Sequence, residues 1–321
     1  MIGTFNLGGA ENLVLNILRH IDKSKFKVFL VVFDGRGKLT AEYHQLGIDI
    51  LDLRIFKNKF KSFVTLIGNL RDRDVRCIHI HLTGTFLFSI TAAKIAFVPK
   101  ILIHWHNVYS YNPWRLPNLK GNILVWIVLK YSAFFADRII AISKSVKTSN
   151  CKAFNISPSK VEIVYNGIDL PSIDKIRSER LNTDQLVIGS IGNVSRQKGH
   201  DILIQAISLL KNSHTEINVE IIGNIYDSGI GGKYYEEITE LVTSNGLSKN
   251  ITFLGSLSPI ETLKKLKSWS IFVLASRWEG FGLVLIEAMA CKVPIIASSV
   301  DAIPEIITDG VSGVLFKSEE F

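Results

Sequence analysis

The chain has 321 residues, is 47% hydrophobic and 21% charged, and carries a formal net charge of +8. These values exclude a disordered chain, and the length predicts two domains of about 150 residues, each long enough to bury a core. Cys77, Cys151 and Cys291 are too widely spaced for a disulfide framework or a cysteine zinc site, which fits a reducing, cytoplasmic compartment.

Short apolar runs alternate with helical patterns along the whole chain. Strands are predicted in the first half at 26–33, 77–81, 101–105, 138–142 and 161–165, and in the second half at 186–191, 218–222, 251–254, 271–275 and 294–297. The runs are continuously apolar, which is typical of strands covered on both faces. Helices with an apolar stripe are predicted between them, for example at 10–21 and 202–210. The alternation predicts doubly wound α/β domains with parallel sheets.

A domain boundary is predicted in the polar stretch between the turn at Asn166-Gly167 and the strand that begins at Leu186. We therefore assign residues 1–170 to an N-terminal domain and 171–321 to a C-terminal domain. The glycine-rich segment 228–233 is predicted to be an exposed loop. The longest apolar stretch, 123–136, is shorter than the roughly 20 residues of a spanning helix and predicts a buried or membrane-facing helix. The N-terminus has no secretory-signal pattern.

The charge is uneven along the chain. In residues 1–170, Lys and Arg outnumber Asp and Glu roughly two to one, whereas the remainder is slightly acidic. A basic surface suits nucleic acid, anionic lipid or a phosphorylated acceptor. Aromatic residues are not interleaved with the basic ones as base stacking requires, so we expect no nucleic-acid partner. Two interpretations stay open: peripheral contact with an anionic membrane at its cytoplasmic face, and a basic face that is only solvated.

Two basic side chains follow the first strand of the second half. Arg196 and Lys198 come after the run 186–191 and directly before a predicted helix, so they lie where the carboxyl end of a strand meets a helix N-terminus. The free amides and the helix dipole favour an anion there. An arginine fork and a lysine point charge together can neutralise a diphosphate. The alternative is a solvated basic loop.

The loop after the predicted strand 271–275 holds two acids around a glycine-containing turn. Glu279 precedes a helix predicted to start near Gly282, and Glu287 lies inside that helix among apolar residues. The amides of Phe281, Gly282 and Leu283 are expected to point outwards at the helix start. A carboxylate in an apolar setting needs partners, which adjacent hydroxyls of a ribose or hexose would supply. The alternatives are a surface acid at Glu279 and a structural ion pair at Glu287.

Five short motifs, taken in order, resemble those of glycosyltransferase family 4, and the resemblance covers nearly the whole chain. The motifs are Gly8-Gly9-Ala10-Glu11, the segment ADRIIAIS at 136–143, Asn166-Gly167-Ile168-Asp169, Arg196-Gln197-Lys198-Gly199, and Glu279-x7-Glu287 with Gly280-Phe281-Gly282 inside it. The resemblance implies the GT-B fold, in which two Rossmann-like doubly wound domains face each other across a cleft. It also implies a nucleotide-diphosphate sugar as donor, no metal and no other cofactor.

The resemblance also implies which residues act. The implied donor-binding residues are Arg196, Lys198, Phe281, Gly282, Leu283, Glu287, Gly8 and Gly9, and the implied catalytic residues are His106 and Glu279. Arg196 and Lys198 would hold the donor diphosphate, and Glu287 would accept hydrogen bonds from the ribose. Glu279 would contact hydroxyls of the donor sugar, and His106 would lie beside the reacting sugar. The base would lie near 255–257.

The implied chemistry is retaining transfer of a sugar to a glycan or lipid-linked acceptor, as in bacterial surface polysaccharide synthesis. The leaving nucleoside diphosphate gains negative charge, which Arg196, Lys198 and a helix N-terminus would stabilise in place of a metal. The acceptor hydroxyl would attack on the face that the leaving group departs from, and the leaving phosphate would take its proton. No protein nucleophile is then required. The aromatic and basic loop 108–120 would meet the acceptor.

Two further patterns contain possible metal ligands. His79 and His81 share one face of a predicted strand, but a third ligand is not evident, so we expect histidines that are satisfied in the core or the cleft. Asp72-Arg73-Asp74 is a D-x-D of the kind that metal-dependent glycosyltransferases use. It is flanked by arginines and precedes a strand, so it is predicted to be a surface helix end that binds no manganese.

The chain departs from the family pattern in three places. Only residues 1–7 stand for the first strand, the helices that follow 309–313 in the family are missing, and Asp301-Ala302 replaces a frequent glycine pair. A truncated, inactive remnant or a nucleotide-sugar binder therefore stays open as an alternative. So does a nucleotide-sugar epimerase of the same fold. A nicotinamide dehydrogenase is disfavoured because no G-x-G-x-x-G signature follows a first strand.

Overall fold

The computed structural model describes residues 1–6, 8–54, 58–81, 83–109, 119–176, 186–210, 217–226 and 228–317. The chain forms two compact units, Met1–Gly167 and Ile168–Phe321. Both units are α/β structures, and every pairing between their described strands is parallel. The prediction of doubly wound α/β domains is therefore confirmed.

The first unit contains seven described strands. They are β1 (Ile2–Thr4), β2 (Phe29–Asp34), β3 (Asp49–Asp52), β4 (Cys77–Ile80), β5 (Lys100–Trp105), β6 (Arg138–Ala141) and β7 (Val161–Ile163). They pair in the orders β1-β2-β3 and β4-β5-β6-β7. The Met1 nitrogen donates to the His79 carbonyl at 2.6 Å and the His81 amide donates to the Met1 carbonyl at 3.0 Å, which joins β1 to β4. The combined order reverses between β1 and β4, as in doubly wound sheets.

Helices connect these strands. They are α1 (Gly9–His20), α2 (Thr40–Gln45), α3 (Lys59–Asp72), α4 (Phe86–Ile95), α5 (Leu119–Phe135) and α6 (Lys144–Phe154). In α1, Val14 and Leu18 recur on one face and pack with Leu30 of β2 in a buried cluster. Helix α6 begins after Ser143, whose side chain accepts a hydrogen bond from the Val146 amide at 3.0 Å and so satisfies an end group of the helix.

The second unit repeats the arrangement with six described strands. They are β8 (Leu186–Ile191), β9 (Ile217–Ile222), β10 (Ile251–Gly255), β11 (Ile271–Leu274), β12 (Ile295–Ser298) and β13 (Val314–Phe316). Its helices are α7 (Leu170–Asp174), α8 (His200–Leu210), α9 (Gly229–Ser244), α10 (Pro259–Ser268), α11 (Leu283–Ala290) and α12 (Ile303–Ile306). The strand order is β10-β9-β8-β11-β12-β13, so the sheet reverses between β8 and β11.

The ten predicted strands are present, with ends shifted by a few residues. Of the three other described strands, β1 lies in the segment 1–7 that the family resemblance assigned to a first strand, and β3 and β13 were not predicted. Strand β3 begins and ends with an acid, so it lacks the apolar run that marks the others. Strand β13 has three residues, all at least partly exposed. Both are edge strands of their sheets, so one of their long sides has no neighbouring strand. Their side chains are therefore less completely covered, and a continuous apolar run is not required.

The prediction of an exposed loop at 228–233 is wrong, because α9 begins at Gly229. Gly232 is buried, and a Cβ on Gly231 would lie 2.7 Å from the side chain of Tyr226. The glycines therefore allow the first turn of the helix to pack closely against its surroundings. Further along α9, Tyr234 and Ile238 are buried at a spacing of one helical turn.

Helix α5 contains most of the apolar stretch 123–136, as predicted. Leu129 and Ala133 are buried, whereas Trp126, Ile127 and Phe134 are exposed. Within the described ranges, no helix combines the length and the apolar character that crossing a bilayer requires.

The D-x-D motif is a surface helix end, as predicted. Asp72 is the last residue of α3, and all three residues of the motif are exposed. Arg73 pairs with Asp49 at 2.7 Å, and Asp74 pairs with Arg76 at 3.6 Å.

Trp269 belongs to one of the two buried clusters in the described part of the second unit. It is fully buried, and its indole Nε1 donates to Glu220 Oε2 at 2.7 Å. Lys265 Nζ donates to the other oxygen of Glu220 at 2.7 Å, so both oxygens of this partly buried acid have a partner. The indole ring packs directly over Gly189 of β8, where a Cβ would lie 1.8 Å from a ring carbon. Packing therefore restricts position 189 to glycine.

Gly189→Ala is expected to lower the free energy of unfolding of the second unit by about 2–3 kcal/mol, because the added methyl group displaces a buried indole. Urea denaturation followed by circular dichroism measures the change. Gly68→Ala in α3 is the control, since nothing lies within 4 Å of its added Cβ. Helix propensity predicts that this variant is up to about 1 kcal/mol more stable. Equal stability of the two variants would contradict the packing argument.

Candidate active site

Lys198 and Glu279 meet where the sheet of the second unit reverses. A 3₁₀ turn at Arg196–Lys198 follows β8, and Glu279 lies in the turn that follows β11, the neighbouring strand. Lys198 Nζ donates to Glu279 Oε2 at 2.5 Å, and their side chains are only 18% and 12% exposed. Ser276 Oγ donates to the same oxygen at 3.3 Å. Ligands of open α/β sheets bind at such reversal points, outside the carboxyl ends of the strands.

The backbone holds these two turns together. The Arg277 amide donates to the Gln197 carbonyl at 2.8 Å, and Gln197 Nε2 donates to the Trp278 carbonyl at 3.2 Å. Gly199, at the end of the first turn, has a φ of +62°, and a Cβ there would lie 1.9 Å from the Ala275 carbonyl oxygen. Only glycine therefore permits this close approach of the two turns.

A partly buried ionic network also joins the first turn of α8 to the turn after β11. Arg277 donates through both terminal nitrogens to Asp201 at 2.8 and 2.7 Å, and the Tyr234 hydroxyl donates to Asp201 Oδ1 at 2.7 Å. Burial alone would raise the pKa of Asp201, but the hydrogen bonds from Arg277 and Tyr234 outweigh it and lower that pKa. Asp201 thus stays ionised and holds Arg277. This network could not be predicted from the sequence, because its members lie on separate elements.

Arg196 has a different acidic neighbour from Lys198. Its guanidinium pairs with Glu237 of α9 and lies over the ring of Tyr234, 5.4 Å from the ring centroid. The two predicted phosphate-binding cations are therefore brought onto one turn. Each cation pairs with a carboxylate, and an anionic ligand would compete with that carboxylate for the cation.

The predicted helix start is confirmed, since Gly282 is the N-cap of α11 and Leu283 is its first residue. Gly282 has a φ of +95°, a left-handed conformation that favours glycine. Phe281 is buried beside it. The first amides of a helix have no partner within the helix, so this end of α11 can donate to an anion or to sugar oxygens.

Glu287 lies inside α11, where Leu285 and Ala288 are buried. Burial raises the pKa of Glu287 from 4.5 to about 7. In the described part of the chain, no basic side chain forms an ion pair with it. The alternative of a structural ion pair at Glu287 is thus not what the structure shows.

Asp301 approaches the site from the turn after β12. Its Oδ2 accepts a hydrogen bond from the Glu279 amide at 3.0 Å, and it has a φ of +44°. Burial raises the pKa of Asp301. A glycine at this position would adopt the same backbone without the carboxylate, so Asp301 adds negative charge beside Glu279.

In the first unit, the predicted site residues follow β1 and β5. Gly8 is the N-cap of α1, and a Cβ there would lie 2.4 Å from Glu11 Oε2, whereas Gly9 has open space around it. His106 follows β5, with its Nε2 3.2 Å from His81 Nδ1. Burial lowers the pKa of His106 well below its usual value, so its ring is neutral at physiological pH.

The expectation that His79 and His81 lack a third neighbour of the same kind is wrong. The pairing of β4 with β5 brings His104 to 5.3 Å from His79 and 4.9 Å from His81, measured between ring centroids. Nor are these rings all satisfied as expected, because within the described ranges His79 Nε2 and both ring nitrogens of the neighbouring His104 are buried without a partner. Each such group costs about 1–3 kcal/mol.

The predicted acceptor loop 108–120 lies largely outside the described residues. Of this loop, the structure describes Val108 and Tyr109 and resumes at Leu119. The Tyr109 amide donates to Asn150 Oδ1 at 2.9 Å.

Family models match both units of the chain. The model described as Glycosyltransferase Family 4 matches residues 7–171, and the model described as Glycosyl transferases group 1 matches residues 172–320.

Curated relatives carry glycosyltransferase names. The chain is 34% identical over 194 residues to an uncharacterized glycosyltransferase of Methanocaldococcus jannaschii, a match that covers 57% of this chain and 47% of that protein. It is 26% identical over 324 residues to the putative glycosyltransferase EpsF of Bacillus subtilis, covering 97% of this chain and 80% of that protein. The match thus spans about half the length of the archaeal relative.

Solved structures share the fold. HepE from Anabaena, in complex with UDP-glucose, superposes with a TM-score of 0.79 at 20% identity, covering 99% of this chain and 85% of that one. Sucrose-phosphate synthase from Thermosynechococcus elongatus has a TM-score of 0.77 at 17% identity, covering 99% and 86%. With the family models, the two parallel α/β units and these superpositions, the chain belongs to glycosyltransferase family 4 and has the GT-B fold.

Proposed function

We propose that the protein is a retaining glycosyltransferase that moves a sugar from a nucleotide-diphosphate sugar to a glycan or lipid-linked acceptor, in bacterial surface polysaccharide synthesis. The observation that carries the proposal is the Lys198–Glu279 pair, which lies at the reversal point of a doubly wound sheet. Lys198, which would bind the phosphate, and Glu279, which would bind sugar hydroxyls, are thereby held together on preorganised turns.

Binding of the donor diphosphate follows from an exchange of ionic partners. Lys198 pairs with Glu279 and Arg196 pairs with Glu237. A diphosphate carries more charge than either carboxylate and accepts more hydrogen bonds, so it competes for both cations. When it takes Lys198, Glu279 becomes available to hydroxyls of the donor sugar. The N-terminal amides of α11 add donors for the same anion.

The nucleoside end of the donor is assigned to Glu287. Its carboxylate lies in an apolar helix, so the vicinal hydroxyls of a ribose would offset the cost of its ionisation. HepE, which shares the fold, has been solved with UDP and with UDP-glucose, which supports a nucleotide sugar as the donor class.

The proposed reaction needs no protein nucleophile and no metal. The bond between the anomeric carbon and the diphosphate oxygen breaks, and the electron pair leaves with the nucleoside diphosphate. Lys198, Arg196 and the end of α11 stabilise that charge. The acceptor oxygen bonds to the anomeric carbon on the same face, and its proton passes to the leaving phosphate. His106, neutral because it is buried, would hydrogen-bond to the sugar.

The first unit is assigned to the acceptor, at the cytoplasmic face of an anionic membrane. It carries the excess basic charge of the chain, and α5 exposes Trp126, Ile127 and Phe134. Lys130 Nζ lies 5.6 Å from the centroid of the Trp126 ring, so a cation accompanies the apolar side chains. An apolar and basic helix face suits the interface of an anionic bilayer.

Lys198→Ala is expected to lower kcat/KM about 10²- to 10³-fold, because it removes a charge that stabilises the leaving group. Initial rates of sugar transfer and donor hydrolysis over a panel of nucleotide sugars measure the effect. Lys249→Ala, an exposed lysine of the same unit, is the matched control and should retain the wild-type rate. The rate of chelator-treated enzyme should not rise when Mg²⁺ or Mn²⁺ is added. A rise would reject metal-independent transfer, and equal rates of the two variants would reject the role of Lys198.

Glu287→Gln is expected to separate stability from donor binding. The pKa of Glu287 is raised from 4.5 to about 7, so its stabilising contribution is present below pH 4.5 and is lost as pH rises through 7. The variant does not ionise, so its advantage in unfolding free energy should grow by about 2 kcal/mol between pH 5 and pH 8. At pH 8 it should bind the donor about 10- to 100-fold more weakly, because a charged acceptor is lost. Urea unfolding and titration calorimetry measure the two effects, and a constant stability difference across pH would contradict the buried-acid argument.

Trp126→Ser is expected to weaken binding to vesicles that contain anionic phospholipid about tenfold, since an exposed indole no longer enters the interface. Co-sedimentation with vesicles measures the binding. Leu209→Ser is the matched control, because Leu209 is an exposed apolar side chain, 84% accessible, in the second unit. Binding to neutral vesicles as strong as to anionic ones, or an equal loss in both variants, would exclude the proposed membrane face.

A further inference from the structure

Four histidines gather at the carboxyl ends of β4 and β5. His79 and His81 belong to the end of β4, and His104 and His106 belong to the end of β5. The register pairs His79 with Leu102, two residues before His104, so the side chains share one face of the sheet. The ring centroids of His79 and His81 are 4.0 Å apart, and those of His104 and His106 are 4.4 Å apart.

The spacing of three of these rings suits a single ion. One ring nitrogen from each of His79, His81 and His104 lies within 4.8 Å of the others. Zinc–nitrogen bonds of about 2.1 Å in a tetrahedron place ligand nitrogens about 3.4 Å apart. Small rotations of the rings therefore bring all three nitrogens to one metal ion without moving the strands.

The chemistry of the cluster also suits a metal. His79 Nε2 and both ring nitrogens of His104 are buried and have no hydrogen-bond partner among the residues that the structure describes. A neutral imidazole nitrogen that is shielded from water is a good ligand for a transition metal.

His106 lies where a supporting group is expected. Its Nε2 is 3.2 Å from His81 Nδ1. If His81 binds a metal through Nε2, its Nδ1–H can donate to His106. Ligating histidines are oriented by such a hydrogen bond at the second ring nitrogen.

We propose that His79, His81 and His104 bind one divalent transition-metal ion of the zinc class, with His106 orienting His81. Three imidazoles favour Zn²⁺, Co²⁺, Ni²⁺ or Cu²⁺ over Mg²⁺ and Ca²⁺, which prefer oxygen ligands. The ion links the ends of β4 and β5 and so fixes the position from which His106 projects. The proposal concerns the first unit and is independent of the donor diphosphate site in the second.

The test is a zinc titration of the whole chain, without a histidine tag, after EDTA treatment and dialysis. Titration calorimetry should show one ion per chain. The unfolding temperature should rise by roughly 5 °C at a hundredfold excess of zinc over Kd. Mg²⁺ should give neither effect. Co²⁺ should give visible d–d bands without a thiolate charge-transfer band, which distinguishes imidazole from cysteine ligands.

Variants locate the ion. His79→Phe and His104→Phe keep an aromatic ring in the buried space and should weaken zinc binding at least ~100-fold. His106→Ala should weaken it ~10- to 100-fold. The matched control is His200→Phe, because His200 is a buried histidine of the second unit with two unpartnered ring nitrogens. It should bind zinc as the wild type does.

The proposal is overturned if the folded wild type binds no zinc, or if His79→Phe and His104→Phe bind it as tightly as the wild type. Circular dichroism of each variant shows that it is folded. Binding and unfolding are measured without donor or acceptor, so failure here leaves the transfer proposal intact. If the transfer rate is lost in EDTA and restored by Zn²⁺ but not by Mg²⁺, the metal effect is attributed to the histidine site.

Discussion

The candidate active site depends on the fastening of two βα turns that are far apart in the chain. Lys198 and Glu279 are 81 residues apart, yet the sheet order makes their strands neighbours and their turns adjacent. The Asp201–Arg277 fork joins the first turn of α8 to the turn after β11, and each of the two side chains is only 20% exposed. Since breaking a buried pair leaves an uncompensated charge, these turns resist displacement. The groups that would meet the donor are therefore held in place before it binds.

Both units keep ionisable groups in apolar surroundings. In the second unit burial raises the pKa of Glu287 in an apolar helix, and in the described part of the first unit His79 Nε2 and both ring nitrogens of His104 have no hydrogen-bond partner. Such groups lower stability, and a folded core would be more stable without them. They concentrate at the carboxyl ends of parallel strands, where α/β folds bind ligands. A ligand that binds such groups would offset that cost and would tie the stability of each unit to its ligands.

Much of the fold and of the second-unit site could be predicted from the sequence. Continuous apolar runs marked the buried parallel strands, and the residues after two of them, Lys198 and Glu279, were correctly placed at strand ends. The partners of these residues could not be predicted, because Asp201, Arg277 and Tyr234 meet only through tertiary packing. The start of α9 was missed because glycines are typical of loops.

The first unit shows the same limit. The third histidine beside His79 and His81 was missed because strand register is not encoded in local spacing. His104 is only two residues before His106 in the sequence, but its distance from His79 depends on how β5 pairs with β4. In both units, side chains that follow a strand could be assigned to the correct edge of the sheet. The sequence did not predict which of these side chains are in contact.

The Asp201–Arg277 fork has a consequence for how this site changes during evolution. Because each partner is costly to bury alone, a lineage that loses one is under pressure to lose the other. Gly199 adds a second restriction, since its Cβ would collide with the carbonyl of Ala275. Positions 201 and 277 should therefore covary while position 199 stays constant. Exposed positions around the two turns remain free to diversify without loosening the frame that holds Arg196 and Lys198.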